Sequence, residues 1–230
     1  MIQELTTERP SVRANGNLPH RSKLSAHYEA LVHRIHAANA DTMIGQSIGV
    51  TSCAPRAGVS TVALNIAIAA DRAGYGPVLL INADIHNLSG PNAAGELSSA
   101  GLADALAGSV EPLDCVTQAP DGEFAIVTGR GMRPHNVSAV DRSKFSELLT
   151  EYKRHFKLVI VDVPTPSDLN DSIGLASQLD GVLLVIEAER ADGRVALKTK
   201  QQLIDANANV LGVVLNKRQQ HVPGWLYRRL

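Results

Sequence analysis

The segment GVTSCAPRAGVSTVALNIAIAA, residues 49–70, decides the fold class. Its pattern predicts a buried strand, then a loop ending at Gly58, then an apolar helix that opens with Ser60 and Thr61. The first turn of a helix offers unpaired N–H groups and a partial positive charge, and glycine lets a ligand approach the backbone closely. We therefore expect a phosphate-binding loop between a strand and a helix.

Further apolar runs alternate with helical stretches along the chain. These runs are nearly continuous in Val, Leu and Ile, which is typical of strands buried on both faces of a parallel sheet. We expect an α/β fold, a single P-loop NTPase-like domain with a mostly parallel central sheet and helices on both faces. The predicted strands are residues 47–53, 77–83, 124–129, 157–163, 181–188 and 209–216, and the predicted helices are residues 60–73, 141–155, 171–178 and 192–206.

The two ends of the chain differ in pattern from this body. Residues 1–24 contain Pro, Gly, Asn and Arg without apolar periodicity, which predicts a flexible leader before a domain over residues 25–220. Residues 221–230 are predicted to form a C-terminal tail. An amphipathic helix is expected over residues 27–38, docked on its own domain or on a neighbour, with an apolar stripe of Tyr28, Leu31, Val32 and Ile35.

Composition excludes several classes of function. The chain has 230 residues with 22 basic and 23 acidic side chains, and aromatic residues make up 3% of it, so we expect no nucleic-acid partner. Cys53 and Cys115 lie far apart without metal-ligand spacing, which favours a reducing compartment over a disulfide framework. The sequence shows neither a signal peptide nor a membrane span, which predicts a cytoplasmic protein.

Two aspartates follow predicted strands at places that suit a nucleotide site. Asp84 ends the run PVLLINAD, and Asp162 lies in KLVIVDVP. Because α/β folds bind ligands at the carboxyl edge of their parallel strands, we expect both carboxylates to lie near the loop. They are the predicted catalytic residues of an active enzyme, and with Ser60 they are the predicted Mg²⁺ ligands. The alternative role for a single such aspartate is a helix cap or turn.

The loop departs from a complete phosphate-binding motif at Val59. In the Walker A motif a lysine stands here, precedes the Ser or Thr and reaches the outer phosphates of the nucleotide. Arg56, earlier in the loop, is a candidate replacement, and an exposed loop arginine is the alternative. The loop residues predicted to contact ATP or ADP are Arg56, Ala57, Gly58, Val59, Ser60 and Thr61.

Taken in order, several segments resemble the bacterial tyrosine kinases, which belong to the MinD-like P-loop ATPases. The resemblance runs from Tyr28 to Asn216 and implies a kinase-like nucleotide-binding domain. It also implies that Asn216 contacts adenine, for which a turn residue is the alternative. The matching segments are TSCAPRAGVSTVALNIAIAAD (51–71), VLLINADIHN (78–87), GLADALAG (101–108), VTGRGMRPHN (127–136), VIVDVPTPSD (159–168), LDGVLLVIEAERA (179–191) and ANVLGVVLNK (208–217).

Three departures from the family pattern concern chemistry. Besides Val59 in the lysine position, Asn82 replaces the first aspartate of a second, kinase-specific motif, and His86 stands where an arginine is usual. The acidic pair of that motif is reduced to Asp84. We therefore expect phosphoryl transfer to suffer more than nucleotide binding.

Two further departures concern assembly and autophosphorylation. Val32 and Ile35 occupy the arginine positions of an oligomerisation motif that would begin at Glu29. The C-terminal tyrosine cluster that the family phosphorylates is reduced to Tyr227. Both departures predict the loss of a part of the kinase cycle.

Together these features predict a degenerate relative, a pseudokinase or scaffold with weak or no nucleotide binding, in exopolysaccharide or capsule synthesis and export. The resemblance implies homo-oligomers and a partner, the cytoplasmic tail of a Wzz-type chain-length determinant in the inner membrane. That partner would hold the protein at the membrane periphery. The alternatives are an active ATP-dependent protein-tyrosine autokinase with an atypical loop, and a MinD-like ATP-dependent positioning switch.

Overall fold

The structure, a computed structural model, describes residues 2–4, 21–37, 45–83, 100–119, 124–129, 141–165 and 171–218. Its strands are β1 (Ile2–Glu4), β2 (Gln46–Ser52), β3 (Val78–Asn82), β4 (Thr117–Gln118), β5 (Ala125–Val127), β6 (Leu158–Asp162), β7 (Gly181–Glu187) and β8 (Val210–Asn216). Its helices are α1 (Arg21–Ala37), α2 (Val59–Arg72), α3 (Leu102–Ala107), α4 (Arg142–His155), α5 (Asp171–Ala176) and α6 (Gly193–Asp205), with a 3₁₀ turn at Pro112–Cys115.

β2 lies inside an eight-stranded sheet of order β1-β8-β7-β2-β6-β3-β5-β4. It pairs in parallel with β6 on one side and with β7 on the other. The remaining neighbours are parallel too, except for the antiparallel pair of β4 and β5. Every residue of β2 is buried, as its continuous apolar pattern predicts for a strand covered on both faces. The predicted fold class is confirmed.

Helices cover both faces of this sheet. On one face α1 and α2 pack against Ile48 and Val50 of β2. On the other face α4 packs against Val159 and Val161 of β6, and Leu203 of α6 lies against β7. Successive side chains of a strand alternate between the faces, so each strand contributes to both layers. None of the helices in the described ranges has the length and apolar character that spanning a bilayer requires.

The main elements of the body lie where their patterns predict them. The six predicted strands correspond to β2, β3, β5, β6, β7 and β8, and the helices to α2, α4, α5 and α6, with ends that differ by a few residues. α3 and β4 escape prediction because they span six and two residues, which is too short for a periodic signal.

The beginning of the chain differs from the leader predicted over residues 1–24. Ile2–Glu4 forms β1, which pairs in parallel with Val213–Leu215 of β8 and occupies the edge position of the sheet. The helix predicted from residue 27 begins earlier, at Arg21. Three residues of edge strand carry no detectable alternation, so this pairing is not predictable from the local sequence.

The apolar stripe of α1 packs on α2 within the same chain. Tyr28, Leu31, Val32 and Ile35 are buried in the core cluster to which α2 contributes. Burial of a large apolar side chain contributes about 1.5–3 kcal/mol, so this stripe anchors α1 firmly. α1 therefore docks on its own domain and not on a neighbouring molecule. Val32 and Ile35, exposed by 1% and 5%, lie in the chain's own core, at the positions where the kinase pattern that the sequence resembles has arginines.

Asp180, just before β7, ties several elements together at the edge of the sheet opposite the loop. Its carboxylate accepts hydrogen bonds from the Ser47 N–H at 2.7 Å and the Ser47 hydroxyl at 2.9 Å. Lys153 of α4 donates to the same carboxylate at 2.7 Å, and Asn209 donates to the Asp180 backbone carbonyl at 2.8 Å. Partial burial raises the pKa of Asp180, but the hydrogen bonds from Lys153 and Ser47 outweigh it and leave the pKa below its ordinary value.

We expect Asp180→Asn to lower the free energy of unfolding at neutral pH by about 1–2 kcal/mol, a modest loss because the carboxylate is partly exposed. Since the folded pKa is lowered, the carboxylate stabilises the fold above its unfolded pKa of about 3.9, and this contribution disappears as the pH falls through the folded pKa. Urea unfolding at neutral pH and at a series of acidic pH values measures both effects. The exposed Asp114→Asn is the matched control, and equal losses in the two variants would contradict the assignment.

Candidate phosphate-binding site

The loop between β2 and α2 has the predicted strand–loop–helix arrangement. Gly58 caps the N-terminus of α2 with φ 93°, in the left-handed region that favours glycine. Its carbonyl accepts the first helical hydrogen bond, from the Val62 N–H at 3.0 Å. The N-terminus of α2 thus follows directly after the loop, as a phosphate-binding turn requires.

Val59 is the first residue of α2. It is half-buried and packs against the core cluster shared by α1 and α2. The position that carries a lysine in a complete motif is therefore part of the apolar packing. Ser60 is half-buried beside it, and Thr61 is exposed, with its carbonyl bonded to the Asn65 side chain at 2.7 Å.

The loop residue Arg56 has an exposed side chain and an unusual backbone conformation. Its φ of 63° lies in the left-handed region, which costs a non-glycine residue about 1–2 kcal/mol. Contacts around the loop must offset that cost. The exposed guanidinium agrees with the role of an ordinary exposed loop arginine. Its contact with phosphate, as a replacement for the lysine, stays a prediction.

Asn216, at the end of β8, holds the loop from inside the protein. It is exposed by 1%, and its side-chain amide donates to the Ala57 carbonyl at 2.8 Å. Its side-chain oxygen accepts from the Lys217 N–H at 2.9 Å. The described contacts therefore give Asn216 a loop-holding role, while the adenine contact implied by the family resemblance stays a prediction.

Lys217 and Glu187 form a second attachment of the loop that no motif singled out. The Lys217 ammonium donates to the Arg56 carbonyl at 2.5 Å and lies 3.3 Å from a carboxylate oxygen of Glu187 at the end of β7. Arg190 lies 3.5 Å from the other oxygen of that carboxylate. The sequence places Lys217 beside Asn216, but the meeting with Glu187 follows from the adjacency of β7 and β8.

Asp162 lies at the carboxyl end of β6 beside Asn82 of β3. The two residues are directly paired in the sheet register, and Asp162 is also paired with Val50 of β2. Since side chains alternate along a strand, Asp162 and Asn82 share the face on which Ile160 meets the α2 layer. Asp162 is 8% exposed, so a carboxylate is held close to the sheet edge where the loop begins.

The ends of β2 and β6 are joined by hydroxyl groups. The Thr51 hydroxyl donates to the Pro164 carbonyl at 3.2 Å, and the Ser52 and Thr165 hydroxyls lie 3.0 Å apart. The Ser52 hydroxyl also donates to the Ala54 carbonyl inside the loop, at 2.7 Å. The start of the loop is thereby fastened to the segment after β6 on one side, as Asn216 and Lys217 fasten the loop on the other.

The chemistry of these residues suits a magnesium nucleotide. Among the described residues no group of three or more His, Cys, Asp or Glu side chains forms a metal site. Mg²⁺ is usually held by one or two carboxylates together with phosphates and water, so Asp162 and the Ser60 hydroxyl are a fitting partial set. Asp84, the other predicted ligand, and Tyr227 lie outside the described residues.

We expect Gly58→Ala to lower the free energy of unfolding by about 2–4 kcal/mol, because two costs combine. A Cβ at Gly58 meets the left-handed φ and lies 2.3 Å from the side-chain nitrogen of Asn216, which must release the Ala57 carbonyl. Gly74→Ala is the matched control, since Gly74 has φ 72° with nothing within 4 Å of the added Cβ. Urea unfolding of both variants measures the difference.

A double variant tests the steric conflict between a Cβ at Gly58 and the Asn216 side chain. Asn216→Ala should cost less in the Gly58→Ala background than in the wild type, since the same hydrogen bond is lost in both. Equal destabilisation by Gly58→Ala and Gly74→Ala would show that contact with Asn216 is unimportant.

No protein-family model matches the chain. Comparison with known sequences gives relatives that are named tyrosine-protein kinases. The chain is 26% identical to "Tyrosine-protein kinase CpsD" of Streptococcus agalactiae over 211 residues, which cover 90% of each chain. It is 26% identical to "Tyrosine-protein kinase YwqD" of Bacillus subtilis, over 86% of this chain and 83% of the relative.

Solved structures give the same fold. The VpsO kinase domain is 26% identical, with a TM-score of 0.69 over 88% of this chain and 100% of that one. The kinase domain of the Escherichia coli tyrosine kinase ETK has a TM-score of 0.79 at 21% identity, over 96% and 92% of the two chains. MinD of Pyrococcus horikoshii in complex with Mg-ADP has a TM-score of 0.65 at 21% identity, over 80% and 76%. The last two likenesses concern the fold alone.

Proposed function

The chain is a homologue of the bacterial tyrosine-protein kinases, and from this premise we propose that it is a degenerate, regulatory relative of them. In this proposal it binds nucleotide weakly, does not transfer phosphoryl groups, and acts as a scaffold or regulator in capsule or exopolysaccharide synthesis and export. The observation that carries the proposal is Val59, a half-buried apolar side chain packed against the core cluster where a complete motif has a lysine.

Weak nucleotide binding is supported by what the loop retains and what it lacks. Gly58 and the N-terminus of α2 offer backbone N–H groups to a phosphate, and Ser60 and Asp162 would hold Mg²⁺ between protein and phosphates. A bound Mg²⁺ supplies positive charge against the phosphates. Loss of one charged hydrogen bond costs about 1.5–3 kcal/mol, so affinity should be about 10- to 150-fold below that of a complete site.

Loss of phosphoryl transfer is supported by two substitutions, Val59 after β2 and Asn82 at the end of β3. A positioned cation stabilises charge that develops in the transition state, and its removal costs a factor of about 10²–10³ in rate. Asn82, paired with Asp162 across the sheet, presents a neutral amide where the family has a carboxylate. A general base or a second Mg²⁺ ligand is therefore missing at that position.

The proposed partner is the cytoplasmic tail of a Wzz-type chain-length determinant in the inner membrane. The kinship with tyrosine-protein kinases supports this partner, and the burial of Val32 and Ile35 argues against ring formation through the family's arginine positions. Any homo-oligomer would use another surface. Co-purification of the chain with that tail, measured by light scattering for mass, tests both points, and the absence of a complex would contradict the partner.

We expect Val59→Lys to tighten MgADP and MgATP binding by about 10- to 150-fold, because it returns an ammonium to the phosphate loop. The lysine stem can keep part of the apolar contact of Val59 while the charge reaches solvent. Isothermal titration calorimetry measures the dissociation constants. Val195→Lys, at a 45% exposed position on α6, is the matched control and should leave affinity unchanged. Equal affinity in the wild type and Val59→Lys would refute the weakened site.

We expect no phosphotyrosine to form when the dephosphorylated protein is incubated with MgATP, and Asp162→Ala to leave this result unchanged. Mass spectrometry of the intact protein and its peptides measures it. Phosphorylation that Asp162→Ala abolishes would overturn the regulatory assignment. If Arg56→Ala abolished it as well, the exposed guanidinium would be the replacement for the lysine, as in the active-kinase alternative.

A further inference from the structure

We propose that Lys217 is a positioning residue of the phosphate-binding loop, anchored by Glu187, that turns a backbone N–H of the loop toward the ligand. This inference deepens the proposed function and rests on it for the identity of the ligand as a nucleotide phosphate. The geometry itself concerns the free protein.

Two successive carbonyl groups of the loop are held from the same direction. The Lys217 ammonium binds the Arg56 carbonyl at 2.5 Å, and the Asn216 amide binds the Ala57 carbonyl at 2.8 Å. Both donors come from the end of β8. The described residues contain no cis peptide bond, so each of these peptide groups is trans.

In a trans peptide the carbonyl and the N–H of the next residue point in opposite directions. Fixing the Arg56 carbonyl toward β8 therefore turns the Ala57 N–H away from β8, and fixing the Ala57 carbonyl does the same for the Gly58 N–H. Successive N–H groups oriented by a left-handed residue form a concave donor site for anions. Arg56 at φ 63° and Gly58 at φ 93° supply those conformations.

The ion pair with Glu187 restricts the position of the Lys217 ammonium group. The ammonium lies 3.3 Å from the Glu187 carboxylate, whose side chain is 14% exposed, whereas that of Lys217 is 38% exposed. An ion pair with one largely buried partner restricts the lysine more than a solvated surface pair does. Lys217 itself has φ 58°, in the left-handed region, which carries a backbone cost. The hydrogen bond from Lys217 to the loop offsets that cost.

Lys217 matters more in this loop because Val59, packed against the core cluster, supplies no charge. In a complete motif the lysine reaches the phosphates, whereas this loop is held in shape by Ser52, Asn216 and Lys217. Preorganised N–H donors then carry the interaction with phosphate. Lys217 acts through the backbone of Arg56 and does not itself need to touch the ligand.

Proteolysis of the free protein tests the inference without nucleotide. An arginine-specific protease can cut the exposed Arg56–Ala57 bond only when the loop opens, so its rate reports the open population. We expect Lys217→Met to raise cleavage at this bond about tenfold, Glu187→Gln to raise it by less, and Lys217→Arg to restore protection. Lys200→Met, at an exposed position on α6, is the matched control. Thermal unfolding confirms that each variant is folded.

Titration with MgADP separates this inference from the proposed function. If Lys217→Met raises cleavage and weakens MgADP binding about tenfold, with rescue of both by Lys217→Arg, the positioning role holds. If Lys217→Met and Glu187→Gln cleave no faster than Lys200→Met, the positioning role is overturned, whatever the nucleotide does. If cleavage rises but the wild type binds no MgADP, the positioning role stands and the nucleotide part of the proposed function fails.

Discussion

The hydrogen bonds that β2 makes on both sides determine where everything else in the molecule lies. Because β2 pairs in parallel with β6 and with β7, the carboxyl ends of these strands reach one edge of the sheet together. β3 and β8 extend the same parallel arrangement outward. The loop after β2 therefore meets Asp162, Glu187 and Asn216 without any of them being near it in the sequence. Helices on both faces keep this edge in register by burying the strands.

At that edge the loop lacks the charge of a lysine at position 59 but is held by several hydrogen bonds. Val59 withdraws a cation and adds apolar contact to the layer of α1 and α2. Ser52 at the end of β2, with Asn216 and Lys217 at the end of β8, holds the loop backbone, so its shape requires neither a lysine at position 59 nor a ligand. In the proposed function, retained shape with reduced charge separates binding from catalysis, since transition states respond more steeply to a missing charge than ground states do.

Much of this architecture was predictable from the order of apolar runs, because buried parallel strands and amphipathic helices have distinct periods. The strand–loop–helix turn at Gly58 was predictable for the same reason, and so was a carboxylate at Asp162. The contact between Lys217 and Glu187 was not, because it depends on which strands are neighbours. β1 could not be predicted because a strand of three residues shows no periodicity. The apolar stripe that contains Val32 is visible in the sequence, but the helix that covers it, α2, is not. The adenine contact of Asn216 stays a prediction.

The hydrogen bonds of Asp180 affect which substitutions the protein can tolerate during evolution. They bind the start of β2 to α4 and to the segments before β7 and β8, at the opposite edge from the loop, roughly 17 Å away at about 3.3 Å per strand residue. Substitutions that far apart affect stability almost independently. A lineage can therefore lose catalytic side chains at one edge while the other edge keeps the chain folded. Such a separation lets an enzyme's descendants survive as binding proteins long enough to acquire a different use.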